Sequence, residues 1–212
     1  MAGSRGRART FEQLSGTEDV TTAATTIEGI IVVGAAIAVF AGQEFRWGYE
    51  TPDEGEVRDD RTALLYLTWL PVGLITGAFG LSVAGWGAWP AQWPVFVLGI
   101  VVLGLGVGGR WWSHCTLGRF HQAVVTIQTD HQLITDGPYR WVRHPMYAAS
   151  ALGILGVGLA FGTGPGLILV VGGTMPAIIR RIQVEERALS EALGTAFEDY
   201  ARSRARLVPG VW

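Results

Sequence analysis

Two groups of residues have types and spacing suited to chemistry. The run Gly137-Pro138-Tyr139-Arg140-Trp141-Val142-Arg143-His144-Pro145-Met146-Tyr147 gathers two Arg, one His and two Tyr immediately before an uncharged stretch. Gly137 and Pro138 spell a turn, and Pro145 suits the first position of a helix, where its missing N–H costs nothing. His144 is then expected to cap that helix, whose unsatisfied N–H groups and positive dipole end suit a carboxylate or phosphate. The plainer reading of the same residues is a juxtamembrane Arg cluster with Tyr and Trp as interface anchors. The second group is Arg181 and Glu185, four apart on one helical face, with Glu186 adjacent. Alone, that pair reads as an exposed ion pair of little energetic weight.

The elements that must position these groups are written in the composition. Of 212 residues, 49% are hydrophobic and 16% charged, against about 25% charged in soluble domains, which points to a membrane protein. A net charge of -2 supplies no positive field for nucleic-acid binding. All 16 basic residues are Arg, which excludes P-loop and Schiff-base chemistry, both dependent on Lys. The lone Cys115 excludes disulfide frameworks and thiolate metal clusters.

The expected fold is all-α, a polytopic membrane protein with five transmembrane helices. Residues 1–20 read as a mobile tail, and residues 21–109 as three spans. The first covers Thr21 to Gly42, with Glu28 near one end; the next two divide the uncharged stretch Thr62 to Gly109. Their hinge is expected around Trp86, Trp89, Pro90 and Trp93. Gly104, Gly106, Gly108 and Gly109 read as small residues that let helices approach, not as a nucleotide loop. Residues 110–212 form the candidate catalytic region. A long polar connection, Arg110 to His144, includes a short extended segment at Val124, Val125 and Ile127. A helical hairpin over Pro145 to Ile179 turns at Gly162 to Gly166, and a charged amphipathic helix covers Arg180 to Arg206. With the N-terminus outside, thirteen of the sixteen Arg face the cytosol. The hairpin then returns Arg181 and Glu185 beside the Arg143-His144-Pro145 turn, and two weak signals become one.

Arg143-His144-Pro145-Met146-Tyr147, with Glu185-Glu186 downstream, a Gly137-Pro138-Tyr139 turn before and Leu193-Gly194 and Tyr200 after, resembles the isoprenylcysteine carboxyl methyltransferase family. The resemblance covers about residues 110–212 and implies an integral membrane methyltransferase using S-adenosylmethionine in a cytosolic pocket beside a lipid-open tunnel. It implies cofactor contacts from His131, Gln132, Leu133 and Ile134, from Tyr139, from His144, Pro145, Met146 and Tyr147, and from Glu185. It implies acceptor binding by Arg181. The family's upstream Gln has no clean match here, Val125 or Gln128 falling in its place according to a one-residue gap.

The chemistry suits these residue types. An activated methyl on a sulfonium requires water exclusion and in-line alignment, and no metal. A carboxylate acceptor, such as that of a prenylated cysteine, needs no general base, and Arg181 or Arg143 would orient it. An amine or thiol acceptor would need His144 or Glu185 as base. Tyr139 and Tyr147 offer ring faces to adenine or a sulfonium. The spacings of His114, His121, His131 and His144 fit no compact metal-ligand pattern. The expected partners are a lipophilic acceptor entering from the bilayer and membrane lipids, in a bacterial or archaeal-type cell membrane. Competing readings are a methyltransferase of phospholipids or small thiols, an NADPH-dependent membrane reductase, and a transporter or channel. The last is disfavoured because the uncharged stretches hold no ionisable group at membrane depth.

Overall fold

A computed structural model of the chain describes residues 61–118 and 133–210, two-residue strands at 56–57 and 126–127, and scattered positions between 25 and 42. The tail, most of the first expected span with Glu28, and His121, His131 and Gln132 lie outside the described residues.

Among the described residues, five continuous helices follow one another: α1 (Arg61–Val83), α2 (Gln92–Leu117), α3 (Pro145–Ala160), α4 (Gly164–Leu193) and α5 (Thr195–Ser203). The break between α1 and α2 falls at the expected Trp and Pro residues, with Gly85 and Gly87 at positive φ. Among the described residues one small sheet accompanies the helices. Strand β1 (Glu56–Val57) pairs antiparallel with β2 (Thr126–Ile127), the latter within the segment whose alternation reads as extended.

Two corrections concern helix ends. Helix α2 runs past Gly109 to Leu117, so Arg110 to Cys115 belong to a helix and not to the polar connection. Nothing between Gly109 and Gly118 breaks a helix, and Gly118, at φ +55, ends it. The return leg of the 145–179 segment and the amphipathic helix expected from Arg180 are likewise one helix, α4; the chain first bends at Gly194, again at φ +55. The change from apolar to charged residues at Ile179/Arg180 marks a change of surroundings, not of conformation.

In space the order is α1, α4, α3, α2. Between α2 and α3 the backbones nearly touch. A Cβ on Gly106 would lie 2.5 Å from Gly153 N and 2.8 Å from Ala149 O, and one on Gly99 would lie 2.7 Å from Gly156 O. Small residues on both helices allow this approach, the usual means of association where lipid removes the hydrophobic drive. Gly104 and Gly108 face away, with nothing near them. Helices α3 and α4 run in opposite directions, Gly158 meeting Leu167 at one end and Tyr147 meeting Arg181 at the other. The turns at the hinge end are laced by Trp89 N–H to Gly162 O at 3.0 Å and Gly164 N–H to Gly87 O at 3.1 Å.

Helices α2 and α4 are long and apolar enough to cross a membrane, and only 22% and 28% of their apolar windows are buried. Such open apolar surface is unlike a soluble core. Leu70–Val83 and Pro145–Ala160 are shorter apolar helices. Trp93 near the start of α2 and Trp111 and Trp112 near its end are about half exposed. The separation is about 27 Å at 1.5 Å per residue, close to the ~30 Å hydrocarbon thickness. At the second aromatic level the Arg140 guanidinium stacks on Trp141, 4.1 Å from the ring centroid.

Candidate functional site

The polar end of the bundle is built from the turn before α3, the ends of α2, α3 and α4, and α5 with the segment that follows it. Gly137–Arg140 forms a 3-10 turn. Gly137 sits at φ +54 with its Cα against Thr116 of α2, where a Cβ would lie 2.7 Å from the threonine hydroxyl, so glycine is required both by conformation and by space. The turn buries Tyr139, whose carbonyl accepts a 2.6 Å hydrogen bond from the Tyr200 hydroxyl of α5. Burial, then the nearby Glu185 carboxylate, push the Tyr139 phenol well above its usual range, so it remains a proton donor at neutral pH.

His144 stands at the N-cap position of α3 with Pro145 opening the helix, as the turn residues imply, but its side chain does not cap. It is buried, and its Nε2 lies 3.1 Å from Glu186 Oε1. Glu186 also meets Arg143 Nη2 at 3.2 Å and Arg206 Nη2 at 3.0 Å. Beyond the apolar part of α4, this carboxylate is the centre of an ionic clasp. Burial alone would raise its pKa, but hydrogen bonds from His144 and Arg206 and the charge of Arg143 outweigh that and hold it at about 2.

Glu185, one residue earlier, points elsewhere because successive helical residues are turned by about 100°. It is half-buried and close enough to Tyr139 and Tyr147 for its charge to act on both phenols. The same hydroxyl accepts from Arg181 Nε at 3.3 Å, and Arg181 is buried. The His144 and Tyr147 rings lie 5.9 Å apart, joining the Glu186 clasp to the Tyr147–Arg181–Glu185 group. The expected pair Glu185-Glu186 therefore faces two different neighbourhoods.

Of the residues singled out by sequence, Tyr139, His144, Tyr147, Arg181 and Glu185 come together. Pro145 is buried, and Met146, Leu133 and Ile134 are half-buried. Arg143, expected to orient an acceptor, is committed to Glu186 and, through Nη1, to Ala201 O at 2.8 Å. Two residues carry more than sequence reasoning assigned them. Arg110, read as loop, is buried in α2 and donates to Ser150 Oγ at 2.6 Å. The continued helical pattern through Trp111 and Trp112 is the signal that would have placed it. Arg206 closes the clasp, and no local signal marks it, because the helix break at Gly194 separates it from Glu186. Among the described residues no group of three His, Cys, Asp or Glu could hold a metal ion.

The lining thus combines one carboxylate, two phenols and a buried guanidinium on the end of an apolar bundle. Residues 94–196, which hold most of it, match the phospholipid methyltransferase family. That match spans just under half of the chain. The family resemblance carried by the Arg143 to Tyr147 motif is borne out as well. The solved structure of the eukaryotic intramembrane Ras methyltransferase ICMT (isoprenylcysteine carboxyl methyltransferase) superposes with a TM-score of 0.66 at 18% identity, covering 85% of this chain and 67% of that one. At that identity what is shared is the fold. The chain is also 30% identical over 142 residues to the cobalt-zinc-cadmium resistance protein CzcN of Cupriavidus metallidurans, covering 64% of this chain and 60% of that protein. It is 39% identical over 75 residues to methanethiol S-methyltransferase of Mycobacterium tuberculosis, covering 34% of this chain and 28% of that enzyme.

Proposed function

We propose that this chain is an S-adenosylmethionine-dependent methyltransferase whose active site lies on the cytosolic side of a multi-pass membrane domain and whose acceptor is lipophilic. The observation that carries the reading is the convergence of Tyr139, Tyr147, Arg181 and Glu185 at one end of an apolar helix bundle. The cofactor, when bound, supplies an activated methyl on a sulfonium. The donor set fits it: Glu185 offers a counter-charge for its cationic groups, and two tyrosine rings offer faces to adenine or sulfonium. His131, Gln132, Leu133 and Ile134, followed by His144 to Tyr147, form the remaining cofactor wall on the family resemblance.

Arg181 is the acceptor residue in this reading. Its planar guanidinium, steadied by Tyr147, suits a carboxylate bound bidentately, which favours a carboxylate acceptor such as that of a prenylated cysteine. An ionised carboxylate attacks without a base, so the residues here need only align it and keep water out. A thiol acceptor is the second reading, supported by the similarity to methanethiol S-methyltransferase. It would require Glu185 or His144 to take the thiol proton.

Calorimetric titration of the purified, detergent-solubilised protein with S-adenosylhomocysteine and with NADPH tests the reading. Binding of the former alone is the expected result. Preference for NADPH, or no heat with either, overturns methyl transfer. Incubation with labelled methyl donor and parallel prenyl-carboxylate and thiol acceptors then separates the two acceptor classes.

A further inference from the structure

Residues 204–206, after α5, run extended beside the turn that opens α3. Val142 and Ala205 form a parallel bridge, Arg143 N–H donates to Ala205 O at 2.8 Å, and His144 N–H donates to Arg206 O at 3.0 Å. The C-terminal segment therefore supplies main-chain acceptors for the two residues immediately before Pro145. Its side chain then locks the arrangement. Arg206 Nε lies 3.2 Å from Glu186 Oε1 and 3.0 Å from Oε2, with Nη2 3.0 Å from Oε2. Fork-on-carboxylate contacts of this kind fix orientation as well as charge. The Glu186 side chain is 13% exposed and that of Arg206 33%, so the carboxylate end of the contact is sheltered, unlike an ordinary surface ion pair.

We propose that Arg206 is a positioning residue for the cofactor side of the site. It orients Glu186, Glu186 holds the His144 ring, and the His144 ring packs against Tyr147, whose hydroxyl accepts from Arg181. This rests on the reading of residues 139–147 and Glu185 as the cofactor wall. An outer residue that orients an inner one shapes affinity without touching the ligand, as residues behind metal ligands do. Arg181 sits one turn earlier on α4 and at the far end of this series of contacts, beyond Tyr147, so the effect of the strap there is expected to be the smaller one.

The test compares wild type with Arg206→Ala, Arg206→Lys and the exposed Arg202→Ala by titration with S-adenosylhomocysteine and by methyl-transfer kinetics. Arg206→Ala is expected to weaken S-adenosylhomocysteine binding about tenfold, the scale of one lost charge-assisted hydrogen bond. Its kcat at saturating cofactor and its acceptor KM should stay within about threefold of wild type. Arg206→Lys should recover part of the affinity, and Arg202→Ala, whose pair with Asp199 is largely exposed, should match wild type. In Glu186→Gln the further change Arg206→Ala should add little, since the arginine acts through that carboxylate. Unchanged cofactor affinity in Arg206→Ala and Arg206→Lys, equal loss in acceptor KM, or full additivity with Glu186→Gln overturns the proposal. Wild type that ignores S-adenosylhomocysteine overturns methyl transfer and this role together, whereas tight wild-type binding with indifferent Arg206 variants overturns this role alone.

Discussion

Glu186→Gln isolates the clasp. The substitution keeps the shape of the side chain and removes the charge on which Arg143, His144 and Arg206 converge. A carboxyl held at about 2 instead of 4.5 has its charged form favoured by roughly 3 kcal/mol, at about 1.4 kcal/mol per pH unit. The group is partly open to solvent, and screening reduces the contribution to about 1–2 kcal/mol. For a chain of this size that amounts to an apparent Tm lower by roughly 2–8 °C at pH 7. The sign with pH follows from the depressed value. The stabilisation is fully present above about 4.5, and it is lost as pH falls through the acid range towards 2. Thermal unfolding in detergent, followed by tryptophan fluorescence at pH 7 and at steps down to pH 3, is the assay. Wild type and variant should differ at pH 7 and converge on acidification. Equal Tm at pH 7, or a gap that persists undiminished at pH 3, refutes the idea that an ionised Glu186 holds the turn.

Glu185→Ala should weaken S-adenosylhomocysteine binding by about 1.5–3 kcal/mol, the range for a hydrogen bond to a charged group; titration that finds unchanged affinity removes Glu185 from the cofactor wall. Arg181→Ala should raise acceptor KM or lower kcat while cofactor affinity stays near wild type, and equal loss of cofactor binding would contradict that division of roles. Gly106→Ala should destabilise by about 1–3 kcal/mol, because the new Cβ meets the backbone of Gly153 and Ala149 and must push α2 from α3. Gly104→Ala, with open space around it, should leave the Tm unchanged or raise it slightly, since alanine is the better helix former.

Much of the architecture is legible in one dimension because leaving water is decided by composition over a window of residues. The uncharged stretches, the Trp and Pro of the hinge and the glycine-rich turn at 162–166 each carry their physics locally. So does the Arg143 to Tyr147 motif, whose Pro145 opens α3 where turn chemistry requires. Helix ends are less legible, since the switch from Ile179 to Arg180 looks like a boundary and is only the place where an unbroken helix reaches more polar surroundings. What the tertiary structure alone decided is which partner each charged side chain takes. Glu185 and Glu186 are neighbours in sequence but about 100° apart around α4, so one acts on the Tyr139 and Tyr147 phenols and the other meets Arg143, His144 and Arg206. Arg110 turns inward to Ser150 because Gly106 and Gly153 bring two backbones close enough for it to reach. Such choices depend on helix rotation and separation set by packing across distant parts of the chain, and residue type at a single position does not encode them.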